Sequence, residues 1–140
     1  RNYMIMPYHE NETYDVDCLA EKGELKLCIP RLRIYKNPLS PINEGCQITN
    51  RKIINNYCSK ILKKLKIDSI CDFDIVIRAD KKPQILDVGC RLSGSSTASL
   101  PIGINVPYNL IKILTKKKLD KINIDKDRLV FPKSRYELVR

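Results

Sequence analysis

Residues 83–96 read PQILDVGCRLSGSS. Gln84 to Val88 is a short apolar run that carries a single acid, Asp87. Gly89, Cys90 and Arg91 follow, and then the small hydroxyl-bearing run Ser93, Gly94, Ser95, Ser96. Upstream, CDFDIVIR at 71–78 is equally apolar, and ADKKP joins the two runs. Two such runs across a short polar turn predict a β-hairpin. In that hairpin Asp74 and Asp87 lie side by side across the ladder, on one face if the register allows. Paired carboxylates on neighbouring strands form a hard-oxygen site suited to Mg2+, which keeps waters and takes further ligands from substrate phosphates. Arg91, four residues past Asp87, has the planar fork to grip an anionic group beside such a metal. The Ser-Gly run offers backbone and hydroxyl donors to phosphate or carboxylate oxygens at close range. Taken alone, D-x-x-x-R is more often a surface ion pair at a strand end. The flanking segments decide between the two readings.

Working outward, NRKIINNYCSKILKKLKI (50–67) places Ile53, Ile54, Tyr57, Cys58, Ile61, Leu62 and Leu65 on one stripe. That 3.6-residue period predicts a helix, with Thr49 or Asn50 as its cap. Further upstream, Tyr3–Tyr8, Thr13–Ala20 and Leu25–Tyr35 read as strands, with a turn at Gly23 and a potential break at Pro30. Residues 36–45 read as a loop, and CQIT (46–49) as a short strand. Downstream, PYNLIKILTKKK (107–118) predicts a second helix with Pro107 in its first turn. The tail from 129 is expected to add a strand. This order argues for an α+β fold, an antiparallel sheet with helices packed on one face, as one unit over residues 1–140.

A chain of 140 residues suits one domain or one lobe of a larger one. Its hydrophobic content of 43% is enough for a core. No run approaches the ~18 apolar residues of a membrane span, and no secretory signal is visible. The chain opens on Arg1 rather than Met, so a fragment of a longer chain is expected. The six cysteines at 18, 28, 46, 58, 71 and 90 show no C-x-x-C spacing, and the single His9 cannot complete a zinc site with them. They read as small buried hydrophobes in a reducing cytoplasm. A net charge of +10 admits a polyanion partner. The lysine runs at 63–66 and 115–121, however, fall on or beside helices, where they form solvated faces. No recognition motif or aromatic-basic platform points to nucleic acid.

The order of segments resembles the C-terminal lobe of ATP-grasp enzymes, the ATP-dependent carboxylate–amine ligases, in their carbamoyl-phosphate-synthetase-like branch. In that branch a strand E-[IV]-N-P-R is followed by a Ser-Gly loop, then A-G-x-N-x-P, then a helix. Here LDVGCRLSGSS and LPIGINVPYNLIKIL follow the same order. IMPYHENETYDVDCLAEKGEL is similar to the family stretch M-P-Y-x-x-G-x-E-Y-S-V-D-x-L-A-x-x-G, and IPRLRI to its basic P-R-x-[RK] segment. The resemblance covers nearly all of the chain.

It implies ATP and Mg2+ (or Mn2+) as cofactors. Asp87 matches the metal-binding Glu, and Asp74 stands near the partner acid or Gln on the preceding strand. Arg91 matches the Arg that contacts phosphate or the acyl-phosphate intermediate. Asp17 matches the acid of the V-D pair, Arg31 or Arg33 the basic residues facing the cleft, and Ser93, Gly94 and Ser95 the loop beside the substrate. The chain departs from the pattern at Gly89, where the family has the Asn completing the metal site, and at Cys90, where it has Pro. Thr13 stands in place of a frequent Glu, and Met6 and Pro7 leave no acid near the adenine. The expected reaction is phosphorylation of a small carboxylate to an acyl phosphate, then attack by an amine or similar nucleophile, a thiol included. The small ATP-binding lobe has no counterpart here, so the rest of its own chain is an expected partner and a homodimer is left open. Two alternatives stand: a lobe of this fold that has lost catalysis and serves as a scaffold, and a basic module binding a polyanion.

Overall fold

The computed structural model describes residues 3, 5, 8, 11–35, 44–120, 124 and 127–131. The chain runs β1 (Thr13–Glu21), β2 (Glu24–Ile34), β3 (Gly45–Ile48), α1 (Lys52–Leu65), β4 (Ser69–Ile77), β5 (Pro83–Gly89), a 3-10 helix (Ser96–Ile102), α2 (Val106–Leu114) and β6 (Arg128–Val130). The six strands form one sheet in the order β5-β4-β1-β2-β3-β6, and every neighbouring pair is antiparallel. The fold is the expected α+β type. The strand read at 3–8 falls largely outside the described residues, as do residues 36–43 of the loop and the tail beyond 131.

β1 is central because it alternates two kinds of side chain. Tyr14, Val16, Cys18 and Ala20 point one way and pack with Cys71, Phe73 and Ile75 of β4 beneath Ile54, Cys58 and Leu62 of α1. Leu19 points the other way. It joins Leu27, Ile29, Cys46 and Ile48 under Ile104 and Val106 at the start of α2. The helices are thus shared between the two faces rather than gathered on one. The second apolar patch is why: without α2 it would lie open to water. Each fully buried Leu, Ile or Phe contributes about 1.5–3 kcal/mol.

The β1–β2 turn is made by Lys22 (φ 53°) and Gly23 (φ 79°). Two left-handed residues in a two-residue loop match the twist of the strands they join. Gly23 also donates its N–H to Ile67 O at 3.0 Å, and a Cβ there would stand 3.3 Å from Leu62 O. β2 continues through Pro30 without a break. Thr49 N donates to Pro30 O at 3.1 Å, so Pro30 turns its backbone toward the β3 side, where the ladder starts only at Arg31. The missing N–H therefore costs no bond to β1.

α1 starts at Arg51 with no side-chain cap. Neither Thr49 nor Asn50 serves: Thr49 is still tied to β2, and Asn50 Oδ1 accepts from Asn55 Nδ2 at 3.0 Å instead. α1 ends on left-handed Lys66, with Lys63 and Lys64 beside its negative end. α2 is capped by Asn105, whose Oδ1 accepts from Tyr108 N at 2.9 Å. It is shorter than expected because the chain turns left-handed at Lys116. No described helix is long and apolar enough to cross a membrane.

Candidate functional site

The second face of the sheet is apolar at one end and charged at the other. β1 brings Asp15 and Asp17 to the charged end, β2 brings Arg31 and Arg33, and β4 brings Asp72 and Asp74. In the register Asp15 stands opposite Asp74 and Arg31, while Asp17 stands opposite Asp72. On β5, Asp87 stands opposite Asp74 and Gly89 opposite Asp72. Cross-strand partners share a face, so these acids form a patch two rows deep.

A bulge places Asp87 there. Between Asp74 and Ile75 the register slips: Ile75 pairs with Ile85, but Asp74 pairs with Asp87, leaving Leu86 as the extra residue. Ile85 packs on the α1 side. With strict alternation Asp87 would follow it there. The extra residue reverses the alternation and turns Asp87 to the charged face.

The loop after β5 folds back over the patch and is fastened to it. Asp17 is fully buried. Its Oδ2 takes Arg31 Nη1 at 2.6 Å and its Oδ1 takes the Ser93 N–H at 2.9 Å. Arg31, also fully buried, reaches Ser93 Oγ with its other Nη. Ser95 Oγ donates to Asp15 Oδ2 at 2.9 Å. Arg33 bridges two acids, donating to Asp15 from Nε at 2.7 Å and meeting Asp74 Oδ1 from Nη2 at 2.7 Å. Gly94 sits bare at the loop tip, and a Cβ there would meet nothing within 4 Å. Arg91 is largely exposed, with Nη1 at 2.9 Å from Leu92 O and 3.4 Å from Asp72 Oδ2.

Five carboxylates against three guanidiniums leave this patch negative on a chain whose net charge is +10. The imbalance falls on Asp72. Burial first, then the charges of Asp17, Asp74 and Asp15, push its pKa up to about 7, against a smaller pull from Arg31. Burial also raises Asp74, though Arg33 opposes it. Burial works to raise Asp15 as well, but its bonds to Arg33 and the charge of that guanidinium hold it below the ordinary value.

The sequence-predicted residues thus divide. Asp74 and Asp87 lie side by side, and Arg91 stands one row along. Asp17 and Arg31 are sealed under the loop, the carboxylate and the two Nη atoms turned on each other and on Ser93, while Arg31 Nε has no partner among the described residues. The hydroxyls of Ser93 and Ser95 hold the loop down, and Gly94 is left to face solvent. Asp15 and Asp72 were not singled out in the sequence. Their signal is plain in retrospect: D-V-D at 15–17 and D-F-D at 72–74 each place two acids on one face of an otherwise apolar strand.

The donor set suits a hard cation. Asp72 Oδ1 is buried with no hydrogen-bond partner among the described residues. No three described carboxylates bring one oxygen each within 4.8 Å of one another. Such a set fits an ion that takes one or two protein carboxylates and completes its shell with phosphate oxygens and water, the habit of Mg2+.

Comparison with known proteins agrees with this architecture. An L-amino acid ligase from Bacillus licheniformis has a similar fold, with a TM-score of 0.58 at 14% identity over 75% of this chain and 29% of that one. A putative ATP-grasp superfamily protein from Archaeoglobus fulgidus gives 0.56 at 14% identity over 89% of this chain and 40% of that one. This chain therefore spans well under half the length of either. No curated protein sequence matches it significantly. The family described as "ATP-grasp in the biosynthetic pathway with Ter operon" matches residues 1–133. With that match running over almost all of its length, the chain belongs to this ATP-grasp family.

Proposed function

We propose that this chain is the metal-binding lobe of an ATP- and Mg2+-dependent ligase that activates a small carboxylate as an acyl phosphate and passes it to an amine or similar nucleophile. The observation that carries the reading is the acidic patch with one unpartnered buried oxygen, Asp72 Oδ1, beside the exposed Arg91. Asp87 and Asp74, paired across the ladder, are the residues that would hold the metal, with Asp72 in the row beside them. When bound, Mg2+ supplies charge neutralisation on the transferring phosphoryl group.

The other residues position and orient. Arg91 stands exposed at the patch edge, where its guanidinium can hold a phosphoryl or acyl-phosphate oxygen. The Asp17–Arg31 pair and Ser95 fix the loop, so that Gly94 meets the substrate with bare backbone. Arg33 holds Asp74 and Asp15 in place. Gly89 leaves one ligand position of the family pattern to water. A Cβ there would make only ordinary contacts, 3.5 Å to Arg91 Cγ and 3.7 Å to Asp72 Cβ, so a side chain can start there without a backbone clash.

Calorimetric titration of Mg2+-ATP into the full-length protein, beside Asp87→Ala, tests the reading. Metal-dependent binding weakened by Asp87→Ala, with ADP released when the right carboxylate is added, is the expected result. Binding without any ADP release across a broad carboxylate panel would favour the scaffold reading, for which Gly89 speaks. Absence of binding by the folded full-length protein removes the site altogether.

A further inference from the structure

The face of β1 turned away from the carboxylates carries a second group. Cys18 and Cys28 stand directly opposite each other on β1 and β2, with their Sγ atoms 3.8 Å apart. Cys58 descends on them from α1. The three sulfurs all lie within 4.8 Å of one another. Cys18 and Cys58 are fully buried, and Cys28 is partly open.

With bonds of about 2.3 Å, three sulfurs on one centre stand roughly 3.5–4 Å apart, the shorter value for a pyramidal trivalent centre. The thiols are therefore already near the spacing of a bound set, and three packed elements hold them there. A fourth ligand is missing among the described residues. Cys71 lies opposite Cys18 on β4, but its Sγ turns toward Asp72 O at 4.0 Å and it stands outside the group. Structural zinc takes four ligands, whereas soft ions are satisfied by thiolates.

Charge narrows the choice further. Val16, Ala20, Ile54 and Leu62 wall the group with hydrocarbon. Net charge buried there is costly, and three thiolates around a trivalent centre carry none. Cys28 also lines a cleft of about 260 Å³ with Lys26, Asn50 and Asn55.

We propose that Cys18, Cys28 and Cys58 form a site for one soft trivalent thiophilic centre bound through three sulfurs. Arsenous acid is the probe. Its three As–O bonds break as three As–S bonds form, each S–H proton leaves on an oxygen as water, and no charge or electron is transferred. This site is independent of the nucleotide reading.

The test is native mass spectrometry of the reduced full-length protein with arsenous acid, with Cu(I) and zinc run separately. One arsenic per chain, gained with the loss of three protons from the cysteines, is the expected product. It should persist in Cys90→Ser, which removes the exposed thiol, and vanish in Cys58→Ala. Because Cys58→Ala alters the core, thiol alkylation of the unmodified protein gives a second reading. Arsenic should bring Cys28 alkylation to background while Cys90 reacts as before. Failure to retain arsenic, retention in Cys58→Ala, unchanged Cys28 alkylation, or tighter binding of Cu(I) or zinc would each overturn the proposal.

Discussion

Asp72 faces Asp15 and Asp17 from β1, Asp74 from its own strand, Arg31 from β2 and Arg91 from beyond β5. Its pKa, pushed to about 7 from an ordinary 3.8, ties stability to pH. Below about pH 4 the carboxyl is protonated whether the chain is folded or not, and no penalty applies. As pH rises toward 7 the unfolded chain releases this proton first, so the folded state loses ground, and above 7 the whole penalty is in force. Asp72→Asn should therefore raise the melting temperature of the metal-free protein at pH 8 by several degrees, about 2 kcal/mol, and have no such effect near pH 4. Thermal scans at both pH values check this. The same change should weaken Mg2+-ATP binding, the usual opposition between stability and a site built of like charges. Asp17→Ala should do the reverse of stabilise. It strands the Arg31 guanidinium in the core, at a cost of about 3–5 kcal/mol measurable by denaturant titration.

The hairpin of β4 and β5 shows what an element adds to its residues. Apolar runs around a polar turn make it legible in sequence, as the stripe of Ile54, Cys58 and Leu62 makes α1 legible. The bulge at Leu86 is not legible, because it arises from how β5 meets β4 and leaves no mark in β5 alone. Strict alternation would have put Ile85 and Asp87 on the same face. Deleting Leu86 removes the extra residue and makes Asp87 the immediate neighbour of Ile85, still opposite Asp74 and on the charged face, now in a regular ladder. The far-ultraviolet circular dichroism and Mg2+-ATP binding should both be retained. Binding that falls as far as in Asp87→Ala would mean that the bulge itself, and not only the face, places Asp87. The buried roles of Asp17 and Arg31 were hidden for a related reason. Their pairing depends on Ser93, which only the returning loop delivers.

In the whole molecule β1 is clasped by β2 and β4, covered by α1 on one side and by the site loop on the other. Hydrogen exchange should be slowest in β1 and fastest in the three-residue edge strand β6, which mass spectrometry of peptic fragments would resolve. Equal protection across the sheet would contradict this order. The antiparallel class was readable from the run of strands and turns. The division of helices between two faces was not, since it follows from a second apolar patch that exists only once β1, β2 and β3 are aligned. The position of Asp17 has one more consequence, in time rather than space. Its partner Arg31 lies across a tight hairpin, a contact that closes within about 1–10 μs, while Ser93 must arrive from far along the chain. The ion pair therefore forms while still wet and dries only when the loop lands, so the contact that buries the pair is also the one that completes the site.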